Sequence, residues 1–298
     1  MAEILSKLSN DISSIVESAG KGIVRVEARQ RMPATGIVWY DDGVIVTSHH
    51  IVEQDENIIV GLPDGSTTSA VLVGRDPFTD VAVLRADLSG LKATPWAASD
   101  GVKVGNLALA LGRPGKSVRA TMGMVNVVGE SWRTPAGGPV DSYIQTEVTM
   151  YPGFSGGPLV DSAGAVLGMN TSGLLRGSVA TIPVETLERV VASILEHGKV
   201  RKAYLGVGTQ PVRLQSAASA GVEQETGLLI ISVEASGPAD EGGLLQGDTI
   251  VSLDGEPVRQ VDDLLSLLSS DRVGKSVDVA VVRGGTPAKI SVTLGERE

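Results

Sequence analysis

Between Gly22 and Pro183 the chain is a succession of short apolar runs, at 22–28, 44–47, 57–62, 70–74, 81–87, 106–111, 121–128, 142–146, 158–161, 165–170 and 178–183. Each is too short for an ordinary helix. Many are parted by turn sequences such as Pro63-Asp64-Gly65 and Asp161-Ser162-Ala163-Gly164. Short strands at near-regular spacing are the pattern of a β-barrel or sandwich. The 37 glycines of the 298-residue chain fit a fold with many tight turns. The segment 22–183 is therefore read as all-β.

The flanks differ. Leu5, Leu8, Ile12, Ile15 and Val16 recur at helical spacing and predict one amphipathic helix over 3–17. Residues 184–197 are helical by pattern, and Gly198 supplies a stop. A second, smaller α+β unit begins near Tyr204. Its strands fall around 205–212, 227–233, 249–253, 277–283 and 288–293, with helices near 238–243 and 261–269. The division is 1–21 as an N-terminal helical segment, 22–200 as the main β domain and 201–298 as the small domain.

A net charge of −10 argues against a nucleic-acid partner, for which a basic face is expected. No run of about 18 apolar residues is present to span a membrane. With no cysteine there are no disulfides, thiolate metal sites or cysteine nucleophile, and three histidines leave little for a metal. Neither metal nor cofactor is expected. The amino terminus lacks a basic region and a long apolar stretch, so it is not a secretory signal. It predicts a cytoplasmic protein or, alternatively, an exported one whose signal has been removed and a methionine added.

Chemistry concentrates at Tyr151-Pro152-Gly153-Phe154-Ser155-Gly156-Gly157-Pro158-Leu159. A serine is a poor nucleophile unless a base takes its proton and N–H groups meet the oxyanion it creates. Glycines on both sides of Ser155 relax the turn and keep side chains away, so the segment reads as an elbow presenting a hydroxyl. His50 ends an apolar strand, and histidine suits proton transfer near neutrality. Asp80, where a strand starts, could orient an imidazole. Taken alone, His49 and His50 read equally as surface histidines, and Asp80 as a turn aspartate. Spacing does not decide, because the three meet only on folding. Gly115-Lys116-Ser117 and Gly274-Lys275-Ser276 resemble the end of a phosphate loop, but Ala110 and Ser269 stand where the earlier glycine is required.

From about residue 20 onward the chain resembles the HtrA/Deg family of chymotrypsin-like serine proteases bearing a PDZ domain. The likeness rests on Thr47-Ser48-His49-His50-Ile51, on Asp76 to Val83 and on Pro152 to Leu159, in that order. It implies a double β-barrel protease domain followed by an α+β PDZ domain. His50, Asp80 and Ser155 would form the catalytic triad, and Gly153, Phe154 and Ser155 the oxyanion hole. Phe154 replaces the family's usual asparagine, and its ring is expected to cover part of the pocket. Ser178, Val179 and Ala180 stand at the specificity pocket, where Val179 in place of glycine predicts cleavage after small or medium aliphatic residues.

Tyr204, Leu205, Gly206 and Val207 resemble the carboxylate-binding loop of such PDZ domains, with Leu264 and Leu268 on the far wall of the groove. The implied function is ATP-independent cleavage of unfolded or damaged proteins, with peptide C-termini held by the PDZ domain. A catalytically silent scaffold whose PDZ domain binds peptides is the rival reading, and an esterase is a third. The loop before His50, about 29–36, is short. Relatives form trimers through aromatic residues near their amino termini, whereas residues 1–38 here contain none. A homotrimer would have to use aliphatic contacts such as Leu5, Leu8 and Ile12.

Overall fold

The computed structural model describes residues 2–88, 90–97, 101–175, 178–214 and 224–296. It divides into two compact units, Met1–Val200 and Arg201–Glu298. The first opens with helix α1 (Ala2–Gly20) and continues into strands β1 (Ile23–Glu27), β2 (Ala34–Val38), β3 (Val44–Ser48), β4 (Ile58–Gly61), β5 (Thr67–Asp76) and β6 (Val81–Ala86). These close into an antiparallel barrel of order β1-β2-β3-β6-β5-β4. A second closed barrel, of order β11-β14-β13-β12-β7-β8, follows. Its strands are β7 (Leu107–Gly112), β8 (Arg119–Gly129), β11 (Tyr143–Thr146), β12 (Pro158–Val160), β13 (Val166–Leu175) and β14 (Ser178–Pro183). A hairpin of β9 (Trp132–Arg133) and β10 (Pro139–Val140) lies outside both barrels. The mainly β expectation holds.

Strand β2 is absent from the apolar-run reading because small residues build it. Every position is buried, and a β-carbon on Gly36 would come within 2.7 Å of Ile45 Cγ2. The loop before His50 is correspondingly shorter than 29–36, since Ala34 already pairs with Val26.

The barrels meet at a shared apolar seam. Val44 and Val46 of β3 join Met169 and Ile182 of the second barrel, and helix α2 (Val184–His197) adds Leu187, Val190 and Ile194. Strand β3 is thus buried on both faces, and it delivers its C-terminal end, where His50 follows, to the junction between barrels. Helix α1 packs Ile12, Ile15 and Val16 against Ile23, Leu109 and Val160.

The second unit is built on a sheet of order β16-β17-β18-β20-β21. Its strands are β16 (Val207–Arg213), β17 (Thr226–Val233), β18 (Thr249–Leu253), β20 (Ser276–Arg283) and β21 (Thr286–Thr293). β15 (Ala203–Tyr204) pairs with β22 (Gly295–Glu296), and β19 (Glu256–Pro257) pairs with β18. Helices α3 (Pro238–Gly242) and α4 (Val261–Leu267) complete a core that includes Leu228, Ile250, Val279 and Leu264. Asp248, 1 % exposed, is gripped at both oxygens by the Arg283 guanidinium at 2.7 Å.

Candidate active site and peptide-binding loop

Three loops converge at the barrel junction. After β3 the chain makes a single 3₁₀ turn, His49–Ile51. The turn between β5 and β6 is tied by Asp76, which accepts from the Phe78 N–H at 3.1 Å and from the Thr79 hydroxyl at 2.6 Å. At its end Asp80 takes a left-handed conformation, φ 58°, which aspartate tolerates better than most residues. Its carboxylate faces the 3₁₀ turn. Asp80 Oδ1 accepts the His50 backbone N–H at 2.8 Å, and Asp80 Oδ2 lies 2.8 Å from His50 Nδ1. The aspartate is buried while the imidazole stays partly open to solvent.

His49 points elsewhere. Burial holds its pKa below the ordinary histidine value, although the Asp80 charge pulls the other way. Of the two adjacent histidines, the fold brings His50 onto Asp80.

Strand β13 supplies groups that no sequence motif announced. The Thr171 hydroxyl donates to Asp80 Oδ2 and accepts the Gly173 N–H at 2.9 Å. Gly173 lies against the pair: a β-carbon there would sit 2.6 Å from His50 Nδ1 and 2.8 Å from Asp80 Oδ2. Ser172 places its hydroxyl 3.1 Å from that of Ser155.

Ser155 sits on a turn with Gly153 at φ 92° and Gly156 at φ 82°, both in the left-handed region that favours glycine. The Phe154 N–H donates to Tyr151 O, and Gly157 N–H to Phe154 O, winding the segment tightly. Among the described residues no group accepts from the N–H of Gly153 or of Ser155. The Phe154 ring does not cover the site. It is wholly buried in the core of the second barrel, where it packs on Gly112 and leaves no room there for a β-carbon. Of the three pocket positions, Ala180 is buried in the seam and Val179 is half-buried on β14. Gly177 and the Ser178 side chain lie outside the described residues. Among the described residues no three metal-ligating side chains converge, and no helix is long and apolar enough to cross a membrane.

In the second unit, Tyr204 to Val207 form the bend from β15 into β16, with Gly206 at φ 81°. The Leu205 carbonyl accepts from Ala239 and the Gly206 carbonyl from Glu234, whereas among the described residues nothing accepts from the N–H of Leu205 or Gly206. The Leu205 side chain is buried, so the loop offers its backbone there. β16 is the edge strand of its sheet, and α4 lies against it. Leu264 is buried in the core, with Leu268 packed against that core.

Residues 34–169 match the trypsin-like peptidase domain, and residues 203–294 match the PDZ domain. Over 270 residues the chain is 38% identical to a probable periplasmic serine endoprotease, DegP-like, of Ectopseudomonas mendocina, covering 88% of this chain and 56% of that one. A DegP-like protein of the same description from Pseudomonas savastanoi is 36% identical, covering 93% of this chain and 58% of that one. The chain thus spans little more than half the length of these curated relatives. Among solved structures, the HtrA-type protease AlgW with a tripeptide superposes with a TM-score of 0.79 at 32% identity, covering 96% of this chain and 97% of that one. AlgWS227A with a decapeptide gives 0.83 at 29%, with coverages of 96% and 97%.

The relatives' names overturn the cytoplasmic expectation, since they are called periplasmic and point to export. That expectation rested on a missing signal, and an absence at one end of a chain fixes no compartment.

Proposed function

Because the chain belongs to the HtrA family, with a trypsin-like peptidase domain followed by a PDZ domain, we propose that it is an exported, ATP-independent serine endopeptidase acting on unfolded or damaged proteins. The observation that carries this reading is the 2.8 Å pairing of His50 Nδ1 with buried Asp80.

With Asp80 accepting the Nδ1 proton, His50 presents Nε2 as the base. Ser155 Oγ forms a bond to the scissile carbonyl carbon while its proton passes to His50 Nε2. The carbonyl oxygen becomes an oxyanion between the N–H groups of Gly153 and Ser155, a contribution of about 3–4 kcal/mol per donor. Collapse breaks the C–N bond, and His50 returns the proton to the leaving amine. Water, deprotonated by His50, then releases the acyl group and restores the Ser155 hydroxyl. Asp80 holds the ring in place and steadies the imidazolium.

At the PDZ domain, the free N–H groups of Leu205 and Gly206 would receive a peptide's terminal carboxylate. The peptide would then pair along the open edge of β16, beside α4. Val179, half-buried on β14 where the family tends to have glycine, would narrow the pocket and favour cleavage after small or medium aliphatic residues. For assembly, Ile4, Leu5 and Leu8 are exposed on α1 and would serve self-association as a trimer. Ile12 instead packs inward. Light scattering on the intact protein tests this, and a clean monomer would refute it.

The deciding experiment is digestion of casein by wild type and by Ser155→Ala. Cleavage confined to wild type is expected. Failure by both would favour a silent scaffold whose PDZ domain binds peptides.

A further inference from the structure

Thr35, the second residue of β2, has 0 % exposure and lies against the Ser155 turn. Its hydroxyl accepts the Arg113 backbone N–H at 2.8 Å and donates to the Gly153 carbonyl at 2.6 Å. Its own N–H donates to the Ser155 carbonyl at 3.2 Å, and its carbonyl accepts the Thr47 hydroxyl at 2.6 Å. The contact is close along the turn: a β-carbon on Gly156 would meet Thr35 O at 2.1 Å, and one on Gly157 would meet Thr35 Cγ2 at 3.1 Å.

We propose that Thr35 is the positioning residue of the oxyanion loop, fixing the peptides on both sides of the Ser155 N–H. This inference rests on the protease reading above. The Gly153 carbonyl belongs to the 153–154 peptide and the Ser155 carbonyl to the 155–156 peptide. Between them lies the 154–155 peptide, which carries the Ser155 N–H. With both neighbours bonded to one buried residue, that N–H keeps a fixed direction while charge develops on the substrate. Such preorganisation is what makes an oxyanion donor effective.

The sense of the hydroxyl is also set. Arg113 N–H donates to its oxygen, so the hydroxyl proton is directed to Gly153. Arg113 is in turn anchored, because its guanidinium donates to the carbonyls of Gly20, Ile23 and Lys116 at 2.7–2.9 Å. The hub is therefore tied to β1 and the end of α1.

The test compares Thr35→Val, which keeps the shape and loses the hydroxyl, with Thr35→Ser, which keeps the hydroxyl, in the full chain. Valine leaves both the Arg113 N–H and the Gly153 carbonyl unpaired. We expect Thr35→Val to lower kcat by about 10- to 100-fold on a casein-derived peptide, a misplacement-sized loss. KM should stay within about twofold, since uniform binding is untouched. Serine should restore the rate. Because His50 and Asp80 are not touched, the midpoint of the pH–rate profile should match wild type while its plateau falls.

Fluorophosphonate labelling of Ser155, with Ser155→Ala as blank, provides a second rate. Thr35→Ala is read in the same way should the valine variant not fold, with thermal melting as the check. A valine variant with wild-type kcat and labelling rate overturns the inference alone. So does equal loss in the valine and serine variants, or a change confined to KM. A wild type that neither cleaves nor is labelled overturns the protease reading and this inference with it.

Discussion

The Ser155 hydroxyl is bonded to the hydroxyl of Ser172 at 3.1 Å, on the strand that also holds Asp80 through Thr171. On the protease reading proposed above, Ser155 would have to leave that partner to meet His50. A neutral hydrogen bond contributes about 0.5–1.5 kcal/mol net. Ser172→Ala should therefore speed fluorophosphonate labelling of Ser155 by roughly 2- to 10-fold. A slower rate would mean that Ser172 supports the attack instead.

Asp80→Asn is the clean probe of the dyad, because asparagine also tolerates the positive φ at this position. Held in the wrong tautomer, His50 could not accept the Ser155 proton, and kcat should fall by about 10⁴-fold. Steady-state proteolysis measures it, with circular dichroism to show an intact fold.

Gly173 has an ordinary φ, so alanine there strains no backbone. The added carbon would nonetheless collide with His50 Nδ1 and Asp80 Oδ2. Displacing the imidazole by even part of an ångström should cost about 10²-fold in kcat. The expected signature is a normal melting temperature beside that loss.

In the second unit, burial alone would raise the pKa of Asp248. The Arg283 bonds and the Leu245 N–H outweigh it and hold the carboxyl below its usual value. A depressed folded-state pKa stabilises the fold above the unfolded value, about 3.9. That stabilisation is lost as pH falls through the lower folded one. Hydrogen exchange in β18 and β20 should therefore accelerate below about pH 4. Asp248→Asn should remove this dependence and destabilise the unit at neutral pH by about 3 kcal/mol.

Ser155, His50 and Asp80 stand out in the sequence because each lies in a local motif, and the fold pairs the last two. Thr171, Ser172 and Gly173 do not stand out, since β13 brings them to the site only when the barrel closes, and Asn170-Thr171-Ser172-Gly173 carries no local signature. Thr35 escaped for a related reason: its strand is recognised by close packing on Gly36, not by an apolar run. Phe154 shows the opposite error. Its neighbour faces the site, but the turn sends the ring inward to the barrel core. Helix α2 was readable to its ends because Val184, Leu187, Val191 and Ile194 mark one face and Gly198 closes it at φ 74°.

Rolling both N-terminal sheets shut denies a passing extended chain the row of unpaired backbone groups onto which it could zip. Neither barrel therefore offers an edge that could be templated into an aggregate. β16 lies on an open margin of its sheet, and Pro211 within it lacks an N–H to offer. Strand pairing that began beside Val207 would therefore meet a built-in stop four residues on.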